Sequence, residues 1–248
     1  MYTLRKTYLN LGLSLLTVAF ISSCSNDNDD KINGQGNLQL KIGSNMPSST
    51  SKTYANSRGT NSTLEISDFL INIKEFELEF DDDYNMGGNG YYGSDDEIEF
   101  EGPFELNVLS NEFIIVDVTI PNGVYEEIEF EFDKSENANS LLYNKSILIK
   151  GTIDTVPFVF WHDFEDEIEV DFEDTDINII INNDNNQLTI NFDLAGVFDG
   201  LTGVDLSEAV DGNGDGVIEI SPIDTDGNNQ IAQQIKEKLK LMIDLLDD

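Results

Sequence analysis

The chain has 248 residues and carries 49 Asp and Glu against 13 Lys and Arg, a formal charge of −36. So acidic a surface repels nucleic-acid phosphates and anionic lipid headgroups, and leaves divalent cations and basic groups as its attractive partners. The acidic residues alternate with Ile, Val, Leu and Phe instead of replacing them, which excludes an intrinsically disordered chain, and a single cysteine excludes an intrachain disulfide.

The N-terminus begins with basic residues, Arg5 and Lys6, followed by an apolar stretch from Leu11 to Ile21. That stretch is long enough for the core of a signal peptide and too short to span a bilayer. It closes in Ile21-Ser22-Ser23-Cys24, which resembles the lipobox of bacterial lipoproteins. The resemblance implies that residues 1–23 are cleaved off and that Cys24 is acylated and becomes the new N-terminus; a plain secretory signal with an incidental cysteine is the alternative. Cleavage would leave 11 basic against 49 acidic groups, a charge of −38 on 225 residues, a length that suits one large all-β domain or two small ones. Residues 24–37 read as an acidic tether. Its run Ser25-Asn26-Asp27-Asn28-Asp29-Asp30 is similar to the export signal of lipoproteins sent to the outer face of the outer membrane, and is otherwise a polar linker.

From residue 38 onward the dominant period is two. Leu38, Leu40 and Ile42 alternate with polar neighbours, and residues 43–62 read as a long loop rich in Ser, Thr, Asn and Gly. Phe76, Leu78 and Phe80 alternate again, out of phase with Ile71 and Ile73, so a β-bulge is expected near Lys74-Glu75. Residues 81–97 form a second long loop, whose exposed pair Tyr91-Tyr92 beside Asp81, Asp82 and Asp83 suits the stacking and hydrogen bonding of a sugar; a solvated hairpin excursion accounts for it equally. Alternation resumes through Ile98 and Phe100, Phe104 to Val108, and, after a Pro121-Asn122-Gly123 turn, Ile128 to Phe132. It continues in Ile147 and Ile149, Ile168 to Phe172, Ile177 to Ile181, and Leu188 to Phe192, with an Asn/Asp-rich hairpin loop at 182–186. Each set puts apolar side chains on one sheet face and acidic or amide side chains on the other, the pattern of antiparallel strands with one buried and one wet face. The predicted fold is all-β, an antiparallel β-sandwich of immunoglobulin or transthyretin kind. One C-terminal amphipathic helix over 229–246 completes it, started at Asn228 or Asn229 and carrying Ile231, Ile235, Leu239, Met242 and Leu246 on one stripe.

Two further places in this chain carry residues with recognisable chemistry. Asp211, Asn213 and Asp215 fall at the first, third and fifth positions of an EF-hand-like calcium loop, with Gly216 at the sharp turn, the Val217 carbonyl at the seventh position and Glu219 at the ninth. The twelfth position is Pro222 in place of the closing glutamate, so Asp224 or Asp226 is expected to supply that carboxylate. An Asx- and glycine-rich turn without an ion is the alternative. Trp161 and His162 are the sole residues of their types. Trp161 reads as core or as a sugar-stacking platform and His162 as structural, since a lone histidine does not make a His-rich zinc site.

The phrases FLINIKEFELEF, PFELNVLS, IPNGVYEEIEFEF, SILIKGTIDTVPFVF and LTINFDLAGVFDG, set behind a lipobox, resemble bacterial surface lipoproteins carrying a β-sandwich domain of unknown function, the four-three-eight-two type. The resemblance implies fold and location and no chemistry. The expectation is therefore a lipid-anchored binding or adhesion module on the outer membrane surface, without a catalytic motif, joined to the membrane at Cys24. It would hold one structural Ca²⁺ and meet a glycan or protein ligand through its loops. A carbohydrate-active hydrolase using a carboxylate pair, or a structural subunit of a surface glycan-uptake complex, stand as the alternatives.

Overall fold

Apolar residues alternate with polar ones along most strands, acidic ones above all in β3, β4, β6 and β9, and that alternation decides which face of each sheet turns inward. A computed structural model of the chain describes residues 34–45, 52–55, 61–81, 97–109, 113–171, 179–182, 185–199 and 202–247. Cys24, the signal segment, most of the tether, and Tyr91 and Tyr92 lie outside the described residues. Lys31–Asp248 forms one compact unit.

A four-stranded sheet runs β13 (Ile243–Asp247), β11 (Asn185–Phe192), β1 (Gln35–Ser44), β5 (Phe113–Pro121). The larger sheet has nine strands. Its path is β10 (Ile179–Ile181), β6 (Gly123–Phe132), β3 (Asn61–Phe80), β7 (Ile147–Ile153), β8 (Val156–His162), β12 (Ile218–Ile220). Off this path, β2 (Lys52–Ala55) and β4 (Glu97–Asn107) pair with β3, and β9 (Glu167–Asp171) pairs with β6. The twenty-residue β3 is the spine: its first half meets β2 and β7, its second half β4 and β6. Its register shifts between Ile73 and Glu75 against both β4 and β6, which is the bulge expected from the change of apolar phase.

One apolar core lies between the two sheets. Leu38, Leu40 and Ile42 of β1, Leu188, Ile190 and Phe192 of β11, and Phe76, Leu78, Ile128, Phe130 and Phe132 of the larger sheet are all buried. Aromatic contacts join the sheets directly: Phe192 meets Phe69 edge-on at 5.4 Å and Phe132 at 6.3 Å between ring centroids. Tyr125 is buried too, and its hydroxyl finds the Pro121 carbonyl at 3.0 Å, so the one polar atom it carries inward is satisfied.

Five expectations need correction. The pairing is not antiparallel throughout, because β1–β11 and β8–β12 are parallel. The Asn/Asp-rich segment 182–186 is a crossover and not a hairpin: β10 pairs with β6 in one sheet while β11 pairs with β1 in the other. Residues 43–62 are not all loop, since Lys52–Ala55 pairs with the start of β3. The folded domain starts before residue 38, as Gln35, Gly36 and Asn37 already pair with β5. The C-terminal helix is shorter than its apolar stripe suggests. After the single turn α1 (Leu194–Val197), helix α2 covers Asn229–Lys240 and buries Ala232, Ile235 and Leu239 as it packs on β8 and β12. Leu241 is left exposed, and Ile243–Asp247 becomes β13, because pairing with the open edge of β11 gives that backbone a hydrogen-bonded ladder. Among the described residues no helix is long and apolar enough to cross a membrane.

Candidate functional site

The loop 211–226 is built by short acidic side chains that fold the backbone around themselves. Asp211 Oδ1 accepts the amide N–H groups of Gly214 (2.7 Å) and Asp215 (3.1 Å), and its Oδ2 accepts that of Gly216 (2.8 Å). Asn213 Oδ1 accepts from the Asp215 amide (2.9 Å), and Asp215 Oδ1 from the Val217 amide (2.9 Å). These bonds wind residues 211–217 into a tight spiral with Asp211, Asn213 and Asp215 at every second position. Gly214 and Gly216 sit at φ +77° and +91°, a left-handed conformation that costs a side-chain-bearing residue energy.

Asp226 closes the spiral. It is buried, and its two oxygens accept the amides of Asn213 (3.0 Å) and Glu219 (2.7 Å). The backbone of residue 212 passes so close to Asp226 that a Cβ there would lie 2.3 Å from the Asp226 carbonyl oxygen, so the position takes glycine. Asp224 does a different job: its oxygens accept the amides of Ser221 (2.8 Å), Gly227 (2.8 Å) and Asn228 (3.1 Å), which turns the chain into α2. Asn228 stands at the helix N-cap without capping it through its side chain. Its amide donates instead to the carbonyls of Val210 (2.8 Å) and Glu219 (2.7 Å), tying the two stems of the loop together. The Glu219 carboxyl is pushed up by partial burial and by the negative charges of Asp226, Asp215 and Asp224. Negative charge therefore converges there, and a cation would relieve it. The carboxylates themselves do not form a preassembled cage: among the described residues, the group of three acidic side chains with oxygens close enough to share one ion lies elsewhere.

That group belongs to a feature visible only once strand register is known. The wet face of β4, β3, β6 and β9 is a grid of acidic residues paired straight across the strands. Glu101, Glu75, Glu131 and Glu167 form one row; Glu99, Glu77, Glu129 and Glu169 the next; Glu97, Glu79 and Glu127 the third, with Asp171 opposite Glu127 in the strand register. Like charges directly opposite one another destabilise a sheet, so the buried partners Phe76, Leu78, Ile128 and Phe130 on the other face must hold the register. Lys74, pushed out by the bulge, relieves one corner with salt bridges of 2.6 Å to both Glu75 and Glu131. Its ammonium holds the Glu75 carboxyl below the usual range. In the middle row relief comes by protonation: hydrogen bonds to Glu127 and Glu167, then burial, then their negative charges, push the Glu129 carboxyl up to about 9. Glu77 and Glu99 are pushed up as well, each first by burial and then by neighbouring carboxylates. The carboxylates of Glu127, Glu129 and Glu169 each place an oxygen within 4.8 Å of the others, a set that could hold a cation. The repeated Glu–apolar–Glu pattern of EFELEF, EIEFE, EEIEFEF and EIEV was the available sequence signal. It shows four acidic strands but not that their acidic rows align.

The remaining candidates fall apart from both sites. Trp161 is half-buried on β8 with the Lys145 ammonium 5.4 Å from its ring centroid, so one of its two faces already has a cation–π partner. His162 is buried, and burial lowers its pKa. Its Nδ1 accepts the Asp163 amide at 3.0 Å, so it is a neutral ring fixed in place, in keeping with a structural role.

No protein-family model matches the chain. No curated protein matches it significantly. Among solved structures it is similar to MbnP from Methylosinus trichosporium, at 11% identity, with 86% of this chain and 98% of that chain covered and a TM-score of 0.35. A likeness at that level carries no argument about chemistry.

Proposed function

We propose that this chain is a lipid-anchored binding module on the bacterial outer surface, held to the membrane at Cys24 and stiffened by one Ca²⁺ at the Asp211–Asp226 loop. The observation that carries the calcium reading is the winding of residues 211–217 around the Asp211 carboxylate, with Asp226 buried against Asn213 and Glu219. A hard cation needs about six to eight oxygens. Asp211, Asn213, Asp215, the Val217 carbonyl, Glu219 and Asp226 offer them from one tight turn. Asp224, whose oxygens accept the amides of Ser221, Gly227 and Asn228, holds the stem and stands beside Asp226 as the other candidate for the closing carboxylate.

On the same reading the two facing sheets are a β-sandwich of the immunoglobulin or transthyretin kind, supported by the single core that they share, and the protein belongs with surface lipoproteins of the four-three-eight-two type. A hydrolase has one feature in its favour, the Glu129 carboxyl pushed up to about 9 by hydrogen bonds to Glu127 and Glu167, in the direction an acid catalyst requires. Against it, the hollow beside Glu129 is only about 50 Å³, too small for a sugar ring.

Isothermal titration of Ca²⁺ into the mature chain tests the loop. One site is expected, with a Kd on the order of 10⁻⁴ to 10⁻³ M as in extracellular modules. Asp211→Asn is expected to remove its heat. Binding at full strength in that variant would move the ion elsewhere. The anchor is tested in the producing cell: Cys24→Ser, followed once the signal segment has been cleaved, should leave the unacylated protein in soluble fractions. Membrane retention of that variant would refute the anchor while leaving the calcium reading untouched.

A further inference from the structure

Lys74, Lys134, Lys236 and Lys240 are each neutralised by carboxylates of the chain. Lys145 is not. Among the described residues it forms no ion pair. Its Nζ donates to the Tyr143 carbonyl at 3.3 Å and lies 5.4 Å from the centroid of the Trp161 ring. In a chain with 49 acidic residues, an ammonium that meets only a carbonyl and a ring face keeps its charge for an anion from outside.

The turn that carries Lys145 is firmly built. Its N–H donates to the Leu142 carbonyl at 2.6 Å, closing a turn over residues 142–145, and Leu142 is buried beneath it. Ser135 clamps the turn from the other side: its carbonyl accepts the Asn144 N–H at 2.9 Å, and its own N–H donates to the Lys145 carbonyl at 3.1 Å. Asn144 sits at φ +57°, in the left-handed region that most residues with a side chain avoid and asparagine tolerates. Such a conformation persists where the surrounding contacts fix it. Three consecutive side chains of different chemistry stand on this turn. They are the Tyr143 ring, 44% exposed, the exposed Asn144 amide, and the half-buried Lys145 ammonium.

We propose that this turn binds an acidic sugar, a uronic acid residue of a glycan. The Tyr143 ring stacks on the C–H face of the pyranose. The Asn144 amide, donor and acceptor at once, meets the sugar hydroxyls. Lys145 Nζ takes the carboxylate in a charge-assisted hydrogen bond. A simple anion would satisfy Lys145 alone and leave the ring and the amide unused. The inference gives the binding-module reading a ligand class, and its site lies apart from the Asp211 loop and requires no calcium.

Trp161 is the sole tryptophan, so its fluorescence reports on the Lys145 ammonium beside it. The test is a fluorescence titration of the mature chain with a calcium chelator present. It is run at constant physiological ionic strength, where the wider acidic surface is screened over about 8 Å. Sodium glucuronate is the probe; glucose supplies the ring without the charge, and sodium acetate the charge without the ring. Glucuronate is expected to give a saturable change as Lys145 turns from the indole to the carboxylate, and glucose and acetate none at the same concentrations. Lys145→Gln keeps the stem and removes the charge, and should weaken glucuronate binding about fivefold, the effect of one exposed ion pair of about 1 kcal/mol. Tyr143→Ala removes the stacking face and should weaken it roughly threefold to tenfold. Both are changes at the surface, and a melting temperature equal to the parent's shows that each variant is folded. An equal response to acetate or to glucose would overturn the proposal. So would a glucuronate affinity unaltered in Lys145→Gln or Tyr143→Ala, or a response that never saturates. None of these results bears on calcium binding or on the anchor, so this inference can fail while both of those stand.

Discussion

At low ionic strength the folded protein is most stable at about pH 5 and loses about 1–2 kcal/mol as the pH rises to 9. The cause is the acidic face of β4, β3, β6 and β9. Glu129 is pushed up to about 9 in the folded chain, and Glu77 and Glu219 are also raised. A carboxyl whose folded pKa lies above its unfolded value binds more protons when folded. Its contribution is complete below the unfolded pKa, about 4.5, and is lost as the pH climbs through the folded pKa. Glu75 and Asp166 are lowered and act the other way, but only below about pH 4.5. His162, also lowered, removes stability as the pH falls below about 6.5, one group against several. At face value the Glu129 shift alone would be worth several kcal/mol; the face is open to solvent, and screening reduces it to the range given. Melting curves at pH 5, 7 and 9 should therefore drop by about 2–8 °C across the series at 2–4 °C per kcal/mol. About 1 M NaCl, where the screening length is about 3 Å, should flatten the trend. Glu129→Gln should be more stable than the parent at pH 9 and close to it at pH 5. A melting temperature that rises steadily from pH 5 to 9 would contradict this reading of the face.

Truncating Phe132 should destabilise the protein by about 3–5 kcal/mol. The ring is 1% exposed and touches Phe130 at 5.8 Å, Phe164 at 4.9 Å and, in the opposite sheet, Phe192 at 6.3 Å between centroids. Phe132→Ala opens a cavity where the two sheets meet, beneath the bulge, and removes three aromatic contacts at once. The loss is a large part of the roughly 5–15 kcal/mol that holds a domain folded, and urea melts would show it as a lower midpoint at similar slope. Ile180→Ala, at a residue 62% exposed on β10, is the control and should change stability by under about 0.5 kcal/mol. A Phe132→Ala variant within about 1 kcal/mol of the parent would mean that the sheets do not depend on this contact.

Strands with one buried face were legible because hydrophobic alternation is local: Leu38 to Ile42, Ile128 to Phe132 and Leu188 to Phe192 lie inward as their spacing predicts. The change of phase at Lys74-Glu75 likewise located the bulge. Pairing is not local. Nothing in residues 35–44 says that β1 takes β11 in parallel, and nothing in 182–186 says that the chain changes sheets there. The stripe through Met242 and Leu246 fits a helix as well as an edge strand. The open edge of β11, formed by residues some fifty positions earlier, decides between them. The same limit hid the three acidic rows, which arise where separate strands align. The Asp211 loop was legible as spacing because its winding is made by contacts three to five residues apart. Its closure was legible only as a choice between Asp224 and Asp226; that Asp226, with Asn228, reaches back across β12 is set by the fold.

Scanning calorimetry of the mature chain with calcium and with chelator addresses the central claim most directly. With Ca²⁺ at about ten times its Kd the folded state gains about 1.4 kcal/mol, and the melting temperature should rise by about 3–6 °C, an increase absent from Asp211→Asn. Identical curves with calcium and with chelator would contradict the account.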